Sequence, residues 1–440
     1  MTNAPLTSAG VIAPACLLVK VRYMKSLSRF YFFIAGANFA DGLVSTCVPL
    51  IAALSGASPT HIGVLAFFSL LPWMGSPVIG AAIDRGGATT ALMAVTTFRA
   101  LCLFFIGLGI TVTGIDKELF IWLALMALCT GFVDMCTDVA VQSHASRMVE
   151  QHQVEKVYGT ISTVQTVSAA MIAPAVAGVL VGLGLMSAIW AIALIAIFLI
   201  LLVIEKHEVV RALQLVVGKT KRSFSFGIPR GFFQEAALGL SMVWTDSWLR
   251  RTAWVVGVFN IAGTASATVA MIYFVQVLDS EPETIGGILA VVGVSGALGG
   301  MLAARYARHL GFVFSVCLGA ACLILTFAAP LAGNTMSTIC VVWCLGALGS
   351  PFFAVSIISH RQRAYADHVL GRINGAFQLI GIGIAPVGGL LGGLAADVVG
   401  LVPVLYCALS LGVISFVLGR PWNRGGGTGN KTLLATHELR

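Results

Sequence analysis

The chain has 440 residues, 58% of them hydrophobic and 10% charged, with a formal net charge of +8. Such a make-up excludes an ordinary soluble globular protein. The basic excess marks no nucleic-acid partner, because Lys and Arg follow the gaps between apolar stretches.

A hydrocarbon core of ~30 Å takes ~20 apolar residues per helical crossing. Twelve stretches qualify, starting near Arg29, Thr60, Thr89, Glu118, Tyr158, Gly184, Arg251, Thr284, Gly311, Thr335, Arg372 and Leu401. They are numbered here as spans 1 to 12. Of the 26 Lys and Arg residues, all but Arg99 and Lys117 fall in alternate gaps, eight of them between spans 6 and 7. The positive-inside rule then places both termini and the long central segment in the cytoplasm, with the bilayer of a bacterial cytoplasmic membrane as the partner surface.

In chain order, residues 1–26 are expected to be a flexible leader or a misassigned start: the apolar run Ala9 to Val19 is too short to span and no basic segment precedes it. Residues 27–204 form a first six-span unit and 251–419 a second. Residues 205–250 join them, and 420–440 read as a flexible tail rich in glycine. In the joining segment Phe233, Ala237, Leu240, Trp244 and Trp248 recur at helical spacing opposite Gln234, Glu235, Ser241, Thr245 and Asp246, the pattern of an amphipathic helix at the membrane interface.

The two units repeat each other. Gly80-x-x-x-Asp84-Arg85 recurs as Gly300-x-x-x-Ala304-Arg305, Ile62-Gly63 as Ile285-Gly286, and Ile172-Ala173-Pro174 as Ile384-Ala385-Pro386. A duplicated six-span unit puts a cavity between its halves near the bilayer midplane, as in alternating-access transporters.

Four charges stand inside apolar spans. Asp41 lies about 16 Å into span 1 by helical rise, where an ionisable group faces a cavity or a partner; its alternative is a protonated aspartate packed among helices. Asp134 and Asp138 share one face of span 4 at i,i+4 spacing. Mutual repulsion and desolvation there suit a site that loads and unloads a proton, although Asp138 also stands near the interface, where water would solvate it. Arg99 lies about 15 Å along span 3 and needs an anion, supplied by Asp41, Asp134 or an anionic substrate. A structural buried pair is the competing reading.

Nine of the ten cysteines lie in apolar spans, Cys16 lies in the leader, and all eight histidines sit at span ends or in loops. No disulfide framework, metal site or cofactor is expected.

Gly80-Ala-Ala-Ile-Asp84-Arg85-x-Gly87 resembles the signature loop of the major facilitator superfamily. Leu71-Pro72-Trp73, Phe98-Arg99-Ala100-Leu101, Asp138-Val-Ala-Val-Gln142, Leu249-Arg250-Arg251-Thr252 and Arg361-Gln362-Arg363 with Gly371-Arg372 are similar to its enterobactin-exporter and macrolide-efflux branch. The resemblance implies an all-α integral membrane protein of twelve transmembrane helices in two pseudo-symmetric bundles. It makes Gly80, Asp84, Arg85 and Gly87, with Arg305 in the repeat, a cytoplasmic gate; simple loop capping is the plainer role. Ala88, Thr89 and Thr90 replace the basic residues that usually follow, which weakens such a gate. Ala173, Pro174 and Gly178 in span 5, and Ala385, Pro386 and Gly389 in span 11, resemble the glycine-proline motif of proton-driven exporters and would act as helix pivots; small-residue packing alone is the alternative.

The expectation is therefore a monomeric, non-enzymatic carrier that exports a small organic molecule in exchange for protons. An importer or facilitator of the same fold, or a non-transporting scaffold, are the competing classes.

Overall fold

The computed structural model describes residues 12–76, 78–80, 83, 88–113, 118–148, 154–184, 187, 190–195, 232–381 and 383–420. These residues are helical apart from short connections. Ten helices are long and apolar enough to cross a membrane: Phe30–Leu54, Ala91–Thr113, Leu119–Gln142, Gly159–Gly182, Ser247–Val277, Pro282–Leu310, Phe312–Leu331, Met336–Ala364, Arg372–Val399 and Leu401–Gly419. They match ten of the twelve expected spans. Span 2 is the helix Pro59–Leu70 followed by a 3-10 turn at Leu71–Gly75, where Pro72 supplies no backbone donor, and residues 77, 81, 82 and 84–87 beyond it lie outside the described residues. Most of span 6 lies outside the described residues.

Local chemistry sets the helix ends. Ser58, Asp246 and Thr335 cap spans 2, 7 and 10 with their side-chain oxygens, and Pro59 and Pro282 open spans 2 and 8, where the missing N–H costs nothing. Single glycines turn the chain between spans 8 and 9 and between spans 11 and 12. Gly311 and Gly400 have φ of 80° and 91°, a region that side chains avoid.

Several expected elements differ in detail. The first helix runs Ile12–Leu54, so helical backbone extends upstream from span 1 into the segment read as a leader. The joining segment holds a helix, Phe232–Thr245, but it ends before Trp248. Asp246 is buried and accepts the N–H groups of Trp248 and Leu249, which starts span 7 at Ser247. Trp248 is accordingly a core residue at 2% exposure, against His360, while Trp244 stays exposed. The helical spacing that links Trp244 to Trp248 continues across a cap that restarts the helix.

Spans 5, 7, 10 and 11 are irregular. Span 5 passes through a π-helical stretch, Thr166–Ile172, before Ala173–Gly182. Span 7 ends in another, Tyr273–Val277. Span 10 divides at Ser350 ahead of Pro351, and span 11 divides between Gly381 and Ala385.

The packing is asymmetric along the bundle. At the end bearing residues 54–59 and 278–282, called the Leu54 end, one apolar cluster joins both halves: Leu43, Cys47 and Val181 pack with Ile272, Phe274, Ile285 and Ile339. At the opposite Gly311 end the core is divided. One cluster there is built from the first half, including Phe33, Ile83 and Ile161; the other comes from the second half with its preceding helix, including Trp248, Phe353 and Phe377.

Candidate functional site

The intramembrane charges converge in the first half. Arg99 of span 3 is 2% exposed. Its guanidinium lies 2.8 Å from Asp41 Oδ1 and donates to Asp41 Oδ2 at 3.0 Å and to the Ala37 carbonyl at 2.9 Å, both on span 1. The Asp134 carboxyl of span 4 stands near enough to Asp41 and Arg99 for their charges to act on it. A single guanidinium balances a single carboxylate.

Asp138, one turn further along span 4, has a different setting. Gln142 donates to it at 2.7 Å and Gln165 of span 5 at 3.2 Å. The i,i+4 spacing of Asp134 and Asp138 thus leads to two environments, one shared with a cation and one lined by amides. Gln165 was not singled out from sequence. The available signal was an amide within an apolar stretch that faces a carboxylate-bearing span; Gln142 was visible as part of the Asp138 motif without a role.

The expected pivots are buried at helix contacts. Ala173 packs on Gly42 of span 1. In the second half Thr264 of span 7 donates to the Ala385 carbonyl at 2.9 Å, beside the break in span 11. Pro174 and Pro386 are buried just after the π stretch and the break, respectively. Gly178 and Gly389 lie where the halves meet. A Cβ on Gly178 would stand 2.5 Å from the Pro282 carbonyl oxygen, and one on Gly63 would stand 2.7 Å from the Gly389 carbonyl oxygen. Spans 5 and 8, and spans 2 and 11, therefore touch backbone to backbone. Among the described residues, the glycines whose nearest neighbours belong to the other half all lie between the Leu54 end and mid-bundle.

Two hydrogen bonds reinforce that closure. Asp397 Oδ2, in the last turn of span 11, accepts the Thr60 N–H of span 2 at 3.0 Å, and Gln276 donates to the Ala57 carbonyl at 3.3 Å. The expected gate is only partly visible. Gly80 packs near Val139, and Arg305 is exposed with its guanidinium 5.7 Å from the Tyr306 ring centre. Asp84, Arg85 and Gly87 lie outside the described residues.

Two helical halves joined at one end and divided at the other, with a buried charge cluster inside the first half, define a multi-pass membrane transporter. Residues 30–389 match the family model of the Major Facilitator Superfamily, and the chain belongs to that superfamily. A search of curated proteins gives no match. Solved structures share the fold. The nucleoside transporter NupG is 14% identical at a TM-score of 0.65, with 90% of this chain and 97% of that one covered. A bacterial homologue of the iron transporter ferroportin, in an inward-facing state, is 15% identical at 0.64, with coverage of 91% and 98%. A bacterial homologue of the human lysosomal transporter Spinster, inward-facing and unoccupied, is 15% identical at 0.61, with coverage of 91% and 97%.

Proposed function

We propose that this transporter exports a small organic molecule, such as a drug, siderophore or other secondary metabolite, by proton antiport with rocking alternating access. The carrying observation is the Arg99–Asp41–Asp134 cluster, where two carboxyls stand beside one guanidinium. Such a site can exist loaded or empty, and intramembrane carboxylates of this kind are the usual parts of proton relays. Asp138, held by two neutral amides, is the second exchange site.

Orientation supports export. With basic gaps on the cytoplasmic side, the joined Leu54 end faces outward and the divided Gly311 end faces the cytoplasm of a bacterial cell, across its inner membrane. The molecule then stands ready to receive cargo from inside. Substrate entry would displace a proton to the cytoplasm, and rocking about spans 5 and 11 would carry cargo outward. We read the chain as a monomer with both termini cytoplasmic, and Asp84, Arg85 and Arg305 as gate residues.

Everted vesicles energised with a proton gradient, tested with ethidium, rhodamine and a macrolide, provide the assay. Uncoupler-sensitive accumulation that is lost in Asp134→Asn supports antiport. Accumulation that persists with an uncoupler present favours a facilitator of the same fold, and unchanged accumulation in the Asp134→Asn/Asp138→Asn protein removes carboxyl coupling.

A further inference from the structure

Spans 1 and 7 each place one asparagine at the same point of the repeat. Asn38 stands nine residues after Arg29, and Asn260 nine residues after Arg251. The packing agrees with that register. Four residues beyond each asparagine the helix meets the alanine before a paired proline: Gly42 packs on Ala173 of span 5, and Thr264 donates to the Ala385 carbonyl of span 11. The halves of this superfamily are related by an axis along the membrane normal, so the two asparagines share a depth on opposite sides of that axis. Seven residues beyond them, nearly two turns along the same face, come Ser45 and Ala267, both exposed. Span 1 touches spans 2, 3, 4, 5 and 7, and span 7 touches spans 1, 2, 9, 11 and 12. With helices packed around both spans, this exposure opens toward the interior of the bundle.

Each asparagine is half-buried and donates to its own helix: Asn38 Nδ2 to the Ile34 carbonyl at 3.0 Å, and Asn260 Nδ2 to the Val256 carbonyl at 2.8 Å. A carbonyl only accepts, so the amide nitrogen has to be the atom turned toward it and the amide oxygen the atom left over. Bonding to the preceding turn needs no asparagine, since Thr96, Thr130 and Thr163 do it with a hydroxyl. What asparagine adds is an acceptor to which no donor among the described residues is committed, one in each half. Water can meet these oxygens while the Gly311 end is divided. When that end closes and water leaves, the cargo has to supply the donors, because a dehydrated acceptor without one is costly.

We propose that Asn38 and Asn260 form a two-sided acceptor site, and that the cargo is an apolar molecule carrying N–H groups toward both sides, as an amino-substituted aromatic does. This rests on the transport reading above and narrows its substrate class. A hydroxyl has one hydrogen to donate, whereas an amino or ammonium group has two or three and serves an oxygen on either wall. Charge is not the selecting property. Asp41, three residues from Asn38, is already matched by Arg99, and the residue at the equivalent place in span 7 is Gly263. Methylation of the cargo nitrogens should therefore be penalised even where the charge is unchanged.

The test compares two dyes of equal charge and common ring system: rhodamine 123, with an amino group at each end, and tetramethylrhodamine methyl ester, in which methyl groups replace those N–H hydrogens. Binding of each to the full chain in lipid nanodiscs is read by fluorescence anisotropy. Rhodamine 123 should bind about tenfold or more tightly than its methylated partner. Asn38→Leu and Asn260→Leu should each weaken rhodamine 123 about fivefold and leave the methylated dye within about twofold. Should leucine prevent folding, Asn38→Ala and Asn260→Ala remove the same oxygens and must give the same pattern. Binding of neither dye, equal affinity for both, equal weakening of both, or a loss confined to one asparagine would overturn the site. Failure of the antiport reading looks different: dye accumulation in vesicles becomes insensitive to uncoupler while binding still discriminates between the dyes.

Discussion

Arg99 clamps Asp41 from both ends of one helical turn: one guanidinium nitrogen holds the carboxylate and another holds the carbonyl of Ala37 four residues earlier. The pair fixes span 3 against span 1 and sets the position from which Asp41 meets Asp134.

Breaking that clamp from its two sides has unequal consequences. Arg99→Gln leaves the Asp41 carboxylate without its partner, and a buried pair that loses one partner forfeits about 3–5 kcal/mol. Asp41→Asn costs less, because the amide oxygen of Asn still accepts from the guanidinium. Thermal unfolding in detergent should rank Arg99→Gln well below Asp41→Asn. Equal losses would show that the carboxylate charge of Asp41, and not its acceptor oxygen, carries the contact.

Asp134→Asn keeps a hydrogen-bond donor beside Asp41 but cannot release a proton. Its melting temperature should stay within the few degrees that about 1 kcal/mol represents, with membrane yield unchanged and proton-driven dye accumulation abolished. Retained accumulation would move the exchange site to Asp138.

At the joined end, Gly178→Ala places a methyl group 2.5 Å from the Pro282 carbonyl oxygen. Overpacking of this kind costs about 1–3 kcal/mol, and in a two-state molecule the joined state bears it. Nitroxide pairs at Ser55 and Asn334, on opposite halves, should report a larger open fraction at the Leu54 end. An unaltered distribution would mean that spans 5 and 8 separate without regard to this contact.

Asp397→Ala removes the acceptor that caps span 2 from the other half. The loss is about 1 kcal/mol by analogy with helix caps, and the same label pair should detect a several-fold rise in the open fraction. Asp397→Asn retains a carbonyl acceptor and should fall between. If both variants match the unmodified protein, the cap carries no weight in the equilibrium.

The spans and the charge cluster were readable from sequence for one reason. Asp41, Arg99, Asp134 and Asp138 each interrupt an apolar run, so cost alone marks them. Their mutual contacts were less accessible: Arg99 had three possible anions, and helical rise gives depth without rotation. Gln165 carries no charge and breaks no rule, so its bond to Asp138 depended on the span 4 to span 5 packing. Trp248 was misplaced because a helical period does not register the restart that Asp246 imposes. The π stretch of span 5 left no mark either, since the residues of Thr166–Ile172 suit an α-helix equally well.

The bond between Thr60 and Asp397 joins a side chain of one half to the main chain of the other. Any residue except proline at position 60 supplies the same donor, whereas position 397 must offer a short oxygen acceptor. Related sequences can therefore drift freely on one side of this contact and not on the other. Paired-change statistics, which depend on both sides varying together, would pass over it, and constraint at a single column would be its trace.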